Sequence, residues 1–102
     1  MSQLNLDTNE SAGYEALIAV LERAVLRSSQ GKGKERHANG KPYHEQPIME
    51  IGRITGEGFA VGQVLKKIQE SMRMTDEAAV NETLDAICYL AARIILIEEG
   101  KR

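Results

Sequence analysis

The 102 residues carry 42% hydrophobic and 27% charged side chains and a formal net charge of −2, the proportions of an ordinary globular domain with room for one modest core. That balance argues against a fibrous or low-complexity chain and against a surface built mainly to coat nucleic acid. Cys88 is the single cysteine, which excludes an intramolecular disulfide and suits a reducing compartment.

Met1 to Glu10 shows no periodicity and no positively charged, apolar leader, so residues 1–10 read as a tail and a cytoplasmic location is expected. From about Ala12 to Ser29 the residues Tyr14, Leu17, Ile18, Leu21, Ala24, Val25 and Ser28 follow a helical period, while Glu15, Glu22, Arg23 and Arg27 take the other side. Asn9 or Ser11 is the candidate N-cap.

Residues 29–44 hold Gly31, Gly33, Gly40 and Pro42, with Tyr43 the one large apolar side chain, and predict a flexible loop. Lys32, Lys34, Arg36 and Lys41 against Glu35 leave it three charges positive and the remainder of the chain five negative. Such a loop is most simply a solvated connection. Its cations would also suit a phosphate backbone, with His37 or Tyr43 stacking on a base, and that binding would weaken steeply with salt.

Pro47 suits the first turn of a short helix, where its missing N–H costs nothing, with Ile48, Met49, Ile51 and Ile54 as the apolar side and Gly56 as the stop. A further helix is predicted from about Phe59 to Arg73, with Phe59, Val61, Val64, Leu65, Ile68 and Met72 facing inward. Gly62 inside it costs about 1 kcal/mol relative to alanine, an expense that a closely packed neighbouring helix would offset.

The longest helix is expected between Thr75 as N-cap and Gly100 as the C-terminal stop, with Asp76 and Glu77 favourably placed in its first turn. Val80, Leu84, Ile87, Ala91 and Ile94 predict a core-facing stripe. Between Ile87 and Ile97 the only charge is Arg93, so apolar residues run most of the way round. This stretch is shorter than the ~20 residues needed to cross a bilayer, which points to a central helix or one shared between two copies. The expected fold is all-α: a single domain over 1–102, a bundle or array of three long helices and one short, with the C-terminal helix at its centre.

Several constellations bear on chemistry. Glu82 and Asp85, three apart on a helix, place two carboxylates on one face within reach of a divalent cation. With the apolar run that follows, Glu82-Thr83-Leu84-Asp85 resembles the second metal-binding segment of the MazG-like all-α nucleoside triphosphate pyrophosphatases. That resemblance implies magnesium held against substrate phosphates and an upstream carboxylate pair, for which Glu57 is the candidate; Ala60 stands where the second carboxylate belongs. His37, His44 and Cys88 lack the close ligand pairs of a zinc site. Cys88 sits among Leu84, Ile87 and Ala91, none of which would lower a thiol pKa. Gly31-Lys32-Gly33-Lys34 lacks the end of a phosphate-binding loop, and Gly56-Glu57-Gly58 is no dinucleotide fingerprint.

The string from Glu35 to Ile48, followed by Gly56-Glu57-Gly58-Phe59-Ala60-Val61-Gly62-Gln63 and Leu65-Lys66-Lys67, resembles the YoaC-like small proteins of enterobacteria and their prophages. The resemblance implies a bacterial cell and an α-helical fold, and no reaction. The expected function is that of a non-enzymatic helical protein, without cofactor, that forms a homodimer through a face carrying Leu90 and Ile97 and binds a protein partner. A magnesium-dependent pyrophosphatase resting on Glu57, Glu82 and Asp85 is the alternative. Nucleic-acid binding through Lys32, Lys34, Arg36, His37, Lys41 and Tyr43 is the third reading.

Overall fold

Among the described residues four α-helices and one 3-10 turn follow in chain order: α1 at Glu15–Gln30, the turn at Tyr43–Glu45, α2 at Pro47–Thr55, α3 at Gly58–Ser71 and α4 at Asp76–Glu98. The computed structural model describes residues 11–30 and 40–102. The tail assigned to residues 1–10 and the readings placed on Lys32, Lys34, Arg36 and His37 lie outside the described residues. Among those described there is no strand, and the fold is all-α in a single domain.

The first helix begins later than its periodicity suggests. Gly13 has φ of 87°, a left-handed conformation that interrupts helical backbone, and the Tyr14 N–H donates to the Ser11 carbonyl at 3.0 Å in a turn. The helix therefore starts at Glu15, with Tyr14 supplying the first accepting carbonyl to Ile18 at 3.0 Å. The supposed loop likewise ends sooner, because Tyr43 to Glu45 form the 3-10 turn. Gln46 then starts α2: its carbonyl accepts from Met49 and Glu50, and its buried side chain donates to the Lys41 carbonyl at 2.8 Å. Pro47 occupies the first turn, as expected.

Every other helix packs on α4. The innermost core is Met49 of α2 with Ala92 and Leu96 of α4, flanked by Tyr43, Ile48 and Ile95. Contact between α2 and α4 is close because Gly52 lies on Leu96: a Cβ at position 52 would stand 2.7 Å from Leu96 Cδ1. On α3, Phe59 meets Tyr89 edge to face with ring centroids 5.9 Å apart, and the Lys67 ammonium lies 5.8 Å from the centre of the same ring.

Several inward assignments are overturned. Ile54, Leu65 and Met72 are among the most exposed large apolar residues, while Ala60 and Ser71 are the buried positions of α3. Phe59, Val61 and Val64 are half-buried as expected, but the most enclosed positions of α3 are small residues, so the inward face is shifted away from Leu65 and Met72. Gly62 is exposed, with nothing near a Cβ built on it, so no close approach offsets its cost.

Candidate interaction surface

Both ends of α4 are fixed by local chemistry. Thr75 Oγ1 accepts from the Ala78 N–H at 3.3 Å. At the other end Gly100, at φ of 72°, donates to the Ile97 carbonyl at 3.0 Å, and Lys101 donates to the Leu96 carbonyl at 2.8 Å. This pair of bonds is the Schellman closure that a left-handed glycine allows. Between the ends, Leu84, Ala86, Ala92 and Leu96 are buried by the chain's own helices.

The face left over has a period of its own. Val80, Thr83, Ile87, Leu90, Ile94 and Ile97 recur at alternating steps of three and four, the spacing of a heptad repeat. Val80, Leu90, Ile94 and Ile97 keep 41, 45, 57 and 38% of their surface exposed, Thr83 is exposed and Ile87 is half-buried. The sequence reading placed Val80 and Ile94 in the core, and the structure puts both on the surface. It does place Leu90 and Ile97 on an open face. The heptad step was present in the sequence, but it overlapped a second apolar stripe, through Leu84, Ala92 and Leu96, that the other helices cover.

The three carboxylates singled out for metal binding are each matched to a cation from another part of the chain. Asp85 accepts from Arg27 Nε and Nη2 at 2.7 and 3.2 Å, fastening α1 to α4. Glu82 lies 3.8 Å from Lys67 of α3. Glu57 accepts from Arg102 at 2.9 and 3.1 Å and has Arg93 at 3.5 Å. The Arg102 guanidinium, aided by Arg93, holds the Glu57 carboxyl below the usual carboxylate range. No group of three acidic, histidine or cysteine side chains able to hold a metal ion occurs among the described residues. His44 lies 3.5 Å from Glu45 on the surface, away from any such cluster.

A cleft of about 550 Å3 opens between α1, α4 and the 40–46 segment, with Leu21, Val25, Pro42, Ile87 and Ala91 among its apolar walls. Tyr43, proposed as a base-stacking side chain, is instead half-buried there, and its hydroxyl donates to the Cys88 carbonyl. Burial raises the tyrosine pKa, so it stays a donor. Lys41 lies at the rim, exposed. Cys88 also lines the cleft, its thiol 3.6 Å from the Ala24 carbonyl. Burial, with Asp85 nearby, pushes the Cys88 pKa up and keeps the thiol protonated at neutral pH, although Cys88 is half-buried at the cleft and not in the core. The sequence reading missed the cleft because its walls come from segments about 60 residues apart.

The chain matches no family model, no curated protein and no solved structure. Among the described residues no helix is long and apolar enough to cross a membrane.

Proposed function

We propose that this is a non-enzymatic cytoplasmic protein that self-associates as a homodimer through the open face of α4 and offers its remaining apolar surface to a protein partner. The observation that supports this reading is the row of exposed apolar side chains on a helix already surrounded on its other sides. Covering a half-exposed Leu or Ile gains on the order of 1 kcal/mol. Four such side chains on each of two copies give a gain in the lower part of the ~4–15 kcal/mol that association costs, so the dimer is expected to be reversible and concentration-dependent.

Sedimentation over a wide concentration range tests this. The mass is expected to climb from one chain of 11.3 kDa toward twice that value. Leu90→Glu should hold the protein at the monomer mass with its helical circular dichroism intact, because Leu90 lies outside the buried core. A wild-type protein that stays monomeric at every concentration would refute the proposal.

A further inference from the structure

The open face of α4 also carries information about direction. We infer that the two copies pair with their α4 helices parallel and in register, joined at the C-terminal end by Arg93 of each copy with Glu98 of the other. This inference rests on the self-association proposed above and adds a geometry to it. With Val80, Ile87 and Ile94 as one set of seam positions and Thr83, Leu90 and Ile97 as the other, the first set is β-branched throughout and the second has leucine at its middle. That division is compatible with a parallel two-stranded coil, Leu90 being the one leucine of the second set.

The flanking charges point the same way. Arg93 precedes and Glu98 follows the seam pair Ile94 and Ile97, five residues apart, the offset at which a parallel pair brings opposite flanks together. The Arg93 side chain keeps 38% of its surface exposed although its Nε is buried 3.5 Å from Glu57, so its charge can be shared between Glu57 and a carboxylate of the second copy. Glu98 is exposed without a cation partner among the described residues. An antiparallel pair centred on the same seam would set Glu98 against Glu77 of the second copy, both acidic and both exposed. The opposed helix dipoles of an antiparallel pair do not reverse this preference, since the ends of α4 are solvent-exposed and screened.

Disulfide trapping in the full chain, with Cys88→Ala to remove the native thiol, separates the arrangements. In a parallel register Thr83→Cys alone should oxidise to a covalent dimer as the main product. In an antiparallel register Thr83→Cys chains should couple instead to Ile94→Cys chains, and that result would overturn the direction while leaving self-association standing. A charge exchange gives an independent reading: Glu98→Arg should weaken dimerisation at least severalfold, and Arg93→Glu combined with Glu98→Arg should restore it in a Glu57→Gln background, which removes the carboxylate beside position 93. Failure of that variant to recover, measured against Glu57→Gln alone, would overturn the Arg93–Glu98 contact. A sedimented mass of three chains would overturn the pairing, and a monomer at all concentrations would remove both this inference and the one beneath it.

Discussion

Two helical glycines with the same intrinsic cost have opposite roles. Gly52 is buried against Leu96, which is itself fully enclosed and has no space to retreat. Adding a methyl group there sets overpacking of ~1–3 kcal/mol against the ~1 kcal/mol that alanine returns to a helix. Gly52→Ala should therefore lower stability by about 1 kcal/mol. Gly62 is exposed with open space around it, so Gly62→Ala should raise stability by ~0.5–1 kcal/mol. Urea unfolding of the two variants measures both signs, and the idea fails if they shift the midpoint the same way. The sequence marks each glycine as a helix-interior expense. It cannot tell them apart, because the difference lies in whether Leu96, more than forty residues away from Gly52, happens to arrive above it.

At the level of elements, α1 is the most loosely attached. Its one buried residue is Ala24, while Leu17, Val20, Val25 and Leu26 remain exposed, and its charged fastening to α4 is the Arg27–Asp85 pair. That pair is partly exposed and so contributes at most about 1 kcal/mol. Amide exchange should accordingly show α1 protected to a lower free energy than the core-facing turns around Leu96, a partial opening that leaves α2, α3 and α4 together. Uniform protection across all four helices would contradict it. The existence of the helices was legible wherever a cap, a stop and a 3.6-residue period agreed, as at Thr75, Pro47 and Gly100. Their buried faces were less legible. On α3 and α1 the large apolar side chains mark a period, but alanine and serine permit the closest approach and so take the interior, leaving Leu65 and Leu17 outside.

For the whole molecule, the core is small for the apolar content. Among the described residues Met49 and Leu96 are the large side chains that are fully buried. The candidate surface was visible in part: Leu90 and Ile97 stood out because the run from Ile87 to Ile97 is apolar over more of the helix than one chain can cover. Its true extent was hidden because two apolar periods, one for the chain's own core and one for the open face, are superimposed on a single helix. That superposition has a consequence in the cell. If pairing covers the open face, α4 is held from both sides only while a second copy is near, so the folded population depends on how many copies are present. Dilution would then act on this protein as a mild denaturant. Scarce molecules would open more often and be degraded sooner than abundant ones, coupling lifetime to expression level without any separate regulator.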